Sequence, residues 1–150
     1  MINEVVSLEV AEKEWREFLD ENDAKGLIPN ELDSKEEFTQ KKNGFDRVVR
    51  AMSRGLVVIE DGIITQHLKY PITGKDDGTV ILDKLVFNKR WTPKDREDIF
   101  KGMDTKDQSQ LFIVQRRFAS KLTGADMIIL QRMDGADYKI TDEIVSVFFM

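Results

Sequence analysis

Apolar positions recur at helical spacing over residues 7–25, where Leu8, Ala11, Trp15, Phe18 and Leu19 fall on one stripe. The stripe predicts an amphipathic helix, with Gly26 closing it and Pro29 stopping any continuation. A second helix is predicted to start at Ser34, with Glu37 three residues on as its capping-box partner. Phe38, Phe45, Val48, Val49 and Met52 share a face of that helix, and Gly55 is placed to cap its end. Gly44 interrupts it, at a cost of roughly 1 kcal/mol against alanine.

The apolar period then shortens to that of a strand. LVVIE at 56–60 and IITQHLKY at 63–70 flank Asp61-Gly62, a strong hairpin signal. Pro71 is expected to keep Tyr70 from running on into a central strand. GKDDG at 74–78 reads as a polar turn, and TVILDKLVF at 79–87 as a further strand. Residues 56–87 are thus predicted to form a small antiparallel sheet.

Helical signals return with Thr92-Pro93-Lys94-Asp95, which combines a threonine cap, a first-turn proline and an acid three residues after the cap. Leu111, Val114, Phe118, Ala119 and Leu122 form one stripe over 108–122, ended by Gly124. A short helix is expected over 126–132. Asp134 and Asp137 suit caps of a helical turn, and Thr141 suits the cap of a last helix whose Ile144, Val145 and Phe148 share a face. The predicted fold class is α+β: a small antiparallel sheet over about residues 56–87, flanked by an N-terminal helical pair and a C-terminal helical bundle. The change of pattern near Gly62 divides the chain into an N-terminal helical extension (1–62), packed on the rest, and a strand-pair-plus-helical domain (63–150).

Composition narrows the chemistry. A hydrophobic share of 41 % is enough for a sizeable core in a chain of 150 residues. The net charge of −5 disfavours nonspecific nucleic-acid binding. The absence of cysteine excludes disulfides, thiolate metal sites and cysteine nucleophiles. The opening MINEVVSLEVAEKEW carries acids early, which is not expected of a secretory signal, and no apolar run is long enough to predict a membrane span. A reducing cytoplasm suits these features.

His67, the one histidine, falls in a predicted strand. A metal site there would lack a second imidazole, and a hydrolytic base would need a nucleophile and an orienting group, so a sheet-surface role is the better reading. GKDDG lacks both the phosphate-loop and the EF-hand spacing. Asp107 and Ser109 suit a helix start, and Asp134, Asp137 and Asp142 read as caps. No catalytic, metal or cofactor residue is assigned, and no enzymatic activity is expected.

Basic residues form two sets: Arg47, Arg50 and Arg54 opposite the Phe38–Met52 stripe, and Arg116, Arg117 and Lys121 on the 108–122 helix. Each set is either a solvated face or a patch for an acidic partner. A nucleic-acid-binding regulator using the arginine face is the alternative function, although aromatic platforms are not interleaved with it. Trp91 either packs on the strand layer and the Arg96 stem or stands out as a binding anchor. Val147, Phe149 and Met150 widen the apolar surface of the last helix and either cover the N-terminal helices or meet another chain, a second copy included. Trp91, Val147, Phe149 and Met150 are therefore the candidate protein-binding residues.

The second half carries a family resemblance. LKYPITGKDDGTVILDKLVFNKRWTPKDREDIF is followed by LFIVQRRFASKLTGADMIILQRMDGADYKITDEIVSVFF. Leu68, Pro71 and Ile72, then Gly78, Leu85 and Phe87, then Arg90, Thr92 and Pro93 come in the order of a strand, a glycine turn, a second strand and a step into a helix. Leu122, Thr123 and Gly124 end a helix, and Asp134, Asp137, Val145 and Phe148 close the pattern. Over about residues 66–149 the chain resembles the phage tail assembly chaperone family of contractile-tailed phages. The family's step usually places proline before threonine, whereas this chain has Thr92-Pro93, and the first 60-odd residues lie outside the pattern. The resemblance implies a non-enzymatic adaptor that keeps a tape measure protein soluble while tail tube subunits gather around it. It also implies action in the cytoplasm of a bacterial host and absence from the mature virion.

Overall fold

Ser7 is extended and its hydroxyl accepts the Val10 amide, which starts helix α1 (Leu8–Glu21). The computed structural model describes residues 5–104 and 106–149, the side chains of Lys25 and Phe149 excepted. Ala11, Trp15, Phe18 and Leu19 are buried as the stripe predicts, while Leu8, the first residue of the helix, stays exposed. The helix ends before Gly26. The Asn22 side chain donates to the Phe18 carbonyl at 2.8 Å, and Asp23 takes a left-handed backbone with φ 57°. A short polar residue tolerates that conformation, so no glycine is required.

The predicted second helix is two. The Ser34 hydroxyl accepts the Glu37 amide and starts α2 (Lys35–Asn43), as expected. Phe45, at φ −122° and ψ 24°, leaves the helical region before α3 (Asp46–Ser53). The break turns the Phe45 ring against Trp15, with centroids 5.2 Å apart, while Val48, Val49 and Met52 are buried in the core. Phe38, on the near side of the break, remains 41 % exposed. Gly55 follows α3 with φ 77°.

Asp61 and Gly62 both have positive φ, 52° and 75°, as a two-residue hairpin turn demands. They join β1 (Val57–Glu60) to β2 (Ile63–Thr73), which pairs on its other edge with β3 (Val80–Phe87). The three-stranded antiparallel sheet with helices on both sides in sequence is the predicted α+β fold. Pro71 does not stop the central strand. β2 runs through it, because the pairing with β3 is regular only to His67↔Lys84, and it resumes at Ile72↔Leu82 beyond an irregularity. A missing amide is harmless in a stretch that has left the ladder.

Beyond the sheet, Thr92 and Asp95 form the complete capping box of α4 (Pro93–Phe100). Asp107 caps a 3-10 turn at Gln108–Gln110 that leads into α5 (Leu111–Thr123), which Gly124 closes with φ 76°. Asp126 caps the short α6 (Met127–Leu130). Asp134 accepts the Ala136 amide at 2.8 Å and begins α7 (Gly135–Phe149). Asp137 and Thr141, expected as caps, are instead buried inside this single long helix.

Those two residues explain how the layers hold together. The Asp137 carboxylate, 1 % exposed, accepts the Lys69 and Tyr70 amides at 2.9 and 3.0 Å, which are the amides the β2 irregularity releases. The buried Gln66 amide donates to the Asp137 carbonyl at 2.9 Å and accepts the Thr141 hydroxyl at 2.7 Å. Two residues past Thr141, Glu143 Oε1 accepts the Arg47 and Val48 amides at 3.1 and 3.5 Å. It thereby caps α3, whose own N-cap residue is a phenylalanine without an acceptor. Helix α7 thus ties the sheet to the N-terminal helices, and residues from both sides of Gly62 share one core around Ile144 and Val145.

Candidate functional site

The sequence places candidate protein-binding residues at the C-terminal end and at Trp91. Val147 is 6 % exposed and belongs to the core, so it is not part of an open surface. The reason is the width of the apolar neighbourhood: α7 packs against α3, α5 and β2, so more than one stripe of it is covered. Phe148 is half-buried, with its ring edge-on to Phe18 at 6.2 Å. The Phe149 side chain and Met150 lie outside the described residues.

Trp91 packs inward on α5 rather than on the strand layer, and its outer side reaches the surface. Its ring meets Phe118 edge-on at 6.2 Å, and it is half-buried. With Pro93, Phe100 and Arg96 it also lines a shallow surface depression, where the Arg96 guanidinium lies 5.8 Å from the Phe100 ring centre.

The two basic sets sit on different helices, and three of the six residues are committed within the molecule. Arg50 pairs with Asp46 at 3.0 Å, and Lys121 lies 3.6 Å from Asp95. Arg117 Nη1 donates to the Ile99 carbonyl at 2.7 Å and the Lys101 carbonyl at 3.3 Å, holding the C-terminal end of α4. Arg47 and Arg54 are exposed. His67 is an exposed residue of β2 opposite Lys84. Among the described residues no group of three or more histidine or acidic side chains could hold a metal ion.

The apolar groove lies elsewhere, between α1 and the α2–α3 pair. It has a volume of about 290 Å³ and a floor of Trp15, Leu19, Leu27, Phe38, Phe45 and Val49. Arg16, Lys41 and Lys42 stand on its rim with Glu12 and Asp46. Most of these charges are locally spent: Arg16 lies 3.5 Å from Glu12, and Lys41 lies 2.8 Å from Asp33. The buried Trp15 Nε1 has no acceptor. Sequence periodicity put Trp15 and Leu19 on one helix stripe and Phe38, Phe45 and Val49 on the face of a single second helix. Only the break at Gly44–Phe45 leaves a gap between the two halves of that face, and no periodic signal marks such a gap.

A second concavity, of about 270 Å³, lies between α5, α6 and the start of α7. Phe112, Leu130, Met133, Arg116 and Tyr138 line it. Arg116 Nε and the Tyr138 hydroxyl are buried and have no hydrogen-bond partner. Burial pushes the Tyr138 hydroxyl well above its ordinary range, and the Asp142 charge adds to this while Arg116 opposes it. Burial raises the Asp142 carboxyl to about 6. Asp142 and Tyr138 influence each other without reaching good hydrogen-bond geometry, since both Asp142 Oδ1 and the Tyr138 hydroxyl lack a bonded partner. Glu143 is likewise raised by burial, to about 7, against the pull of the Val48 and Arg47 amides.

No helix among the described residues is long and apolar enough to cross a membrane. Comparison with family models, with curated proteins and with solved structures gives no match.

Proposed function

We propose that the protein is a non-enzymatic adaptor of the tail-assembly-chaperone kind, which covers apolar stripes on a long helical tape measure protein and helps recruit tail tube subunits to it. The observation that carries this reading is the groove between α1 and the α2–α3 pair, with its apolar floor and charged rim. An amphipathic helix laid in such a groove buries its apolar face while its flanks stay in water. The groove lies in the part of the chain outside the family resemblance, so the resemblance and the groove support the reading separately. An unprotected helical stripe invites aggregation, and an adaptor that releases it by mass action needs contacts of moderate strength. The protein then acts in the cytoplasm of the bacterial host and is left out of the finished virion.

Sedimentation velocity of an equimolar mixture with the tape measure protein of the same genome tests the reading. A faster boundary containing both proteins is expected. Phe38→Asp, at the exposed edge of the groove, should reduce it without unfolding the chain. If both proteins sediment as they do alone, the adaptor reading falls.

A further inference from the structure

Helix α2 lies along the apolar groove without packing into the core. Among the described residues none of its nine is buried, and Phe38 lines the groove while 41 % exposed. The segment 30–43 is tied to itself instead. Asp33 Oδ1 pairs with the Lys41 ammonium at 2.8 Å, and Asp33 Oδ2 accepts the Asn30 amide at 2.8 Å. Asn30 Oδ1 accepts the Leu32 amide at 2.9 Å, and Ser34 Oγ accepts the Glu37 amide at 3.1 Å. Among the described residues, every side-chain hydrogen bond and ion pair of this segment stays inside it. The chain on either side is anchored: Leu27 and Ile28 pack against the core, and the Phe45 ring lies on Trp15. In an unbroken helix the Arg47 and Val48 amides would bond the Asn43 and Gly44 carbonyls. Glu143 accepts both amides instead, so neither bond crosses from α2 to α3 and neither donor is stranded.

We propose that residues 30–43 are a hinged flap, turning beside Pro29 and at Gly44, which swings away to admit a partner helix to the groove floor and then lays Phe38 on it. A segment that buries none of its helix gives up little apolar contact when it moves, and hinges are commonly a few residues at the ends of elements. Glycine suits the pivot at 44 because it reaches backbone angles closed to other residues. The internal bonds of the segment let it turn as one body. The floor stays behind, because Trp15, Leu19, Phe45 and Val49 are buried in the core. The flap rests on the adaptor reading for what enters the groove, and it adds how the groove opens and closes.

The chain has no cysteine, so introduced pairs can be spin-labelled cleanly in the full-length protein. Lys13→Cys with Glu36→Cys joins α1 to the flap, and Lys13→Cys with Arg54→Cys joins α1 to the end of α3; all three positions are exposed. Pulsed electron paramagnetic resonance reads the distance distributions. The 13–36 pair should give a broad or two-peaked distribution and the 13–54 pair a single narrow one. Gly44→Ala restricts the pivot and should lower the share of the open population by about two- to fivefold. Addition of the tape measure protein of the same genome should collapse the 13–36 distribution to one peak. If the 13–36 pair is as narrow as the control, the groove has a fixed wall and the flap is wrong, while the adaptor reading still rests on sedimentation. If Gly44→Ala leaves a broad distribution unaltered, α2 frays instead of turning, and the flap is equally wrong. Co-sedimentation with an unchanged 13–36 distribution would also overturn it. Failure to co-sediment would remove the adaptor reading alone, and a broad distribution narrowed by Gly44→Ala would still support the flap.

Discussion

Asp137 is an acid inside a helix whose carboxylate belongs to the backbone of a strand. With 1 % exposure and two amide donors, its removal leaves the part-buried Lys69 and Tyr70 N–H groups without their acceptors and a gap under β2. Asp137→Ala is expected to cost about 2–4 kcal/mol, measured by urea denaturation. Amide exchange at Lys69 and Tyr70 should accelerate ahead of the rest of β2. Unchanged exchange there would mean that some other contact holds the irregular stretch. Glu143 offers a pH signature. Its carboxyl is raised by burial to about 7, and that of Asp142 to about 6. The folded state therefore binds more protons than the unfolded chain between about pH 4.5 and 7, so stability rises as pH falls through that window. Asp33, Asp77, Asp95 and Asp107 are shifted the other way, held low by hydrogen bonds from Lys41, Thr79, Thr92 and Ser109, and their contribution is lost at lower pH. Denaturation midpoints should thus be higher at pH 5.5 than at pH 7.5, and Glu143→Gln should flatten the difference. A midpoint that climbs steadily to pH 7.5 would contradict the burial of Glu143.

Among the elements, the local signals that proved reliable are those in which one short segment meets its own needs. The Thr92–Asp95 capping box closes on itself, and Asp61-Gly62 supplies both positive φ values of its turn. Thr92→Ala should cost about 1 kcal/mol and act chiefly on α4, read by thermal unfolding. Gly55 and Gly62 permit a sharper comparison. Both have strongly positive φ, but a Cβ at Gly55 would also meet Val5 Cγ2 at 3.1 Å, whereas Gly62 faces open space. Alanine should therefore be more harmful at position 55 than at 62, each by at least about 1 kcal/mol from backbone strain. Equal losses would show that the Val5 side chain yields freely. The expectations that failed at this scale share one cause. Asp137 and Thr141 have the residue types of caps, but what they bond is set by a distant strand, which no window along the chain contains.

At the level of the whole molecule, α7 is the member on which the other layers depend. It covers α3, α5 and β2, binds the released amides of β2, and caps α3. Deleting residues 1–55 should leave Ile144, Val145 and Val147 partly uncovered and Glu143 without its amides. The shortened chain is expected to lose its sharp cooperative transition in denaturant and to self-associate. A fragment that unfolds as sharply as the parent would mean that the strands and C-terminal helices suffice alone.

Periodicity and capping chemistry, read from the sequence by themselves, determined the order of helices and strands, the hairpin, and the α+β class. Each is settled within a few turns of chain, where spacing, side-chain type and backbone preference act together. Only the tertiary structure decided that the Phe38–Met52 face is broken into a groove, that Val147 is enclosed, and that Arg116 and Tyr138 meet in one concavity. The physical reason is that burial and electrostatic pairing depend on which surfaces come together. Residues such as Asp137 and Lys69, 68 positions apart, become neighbours only when the layers close.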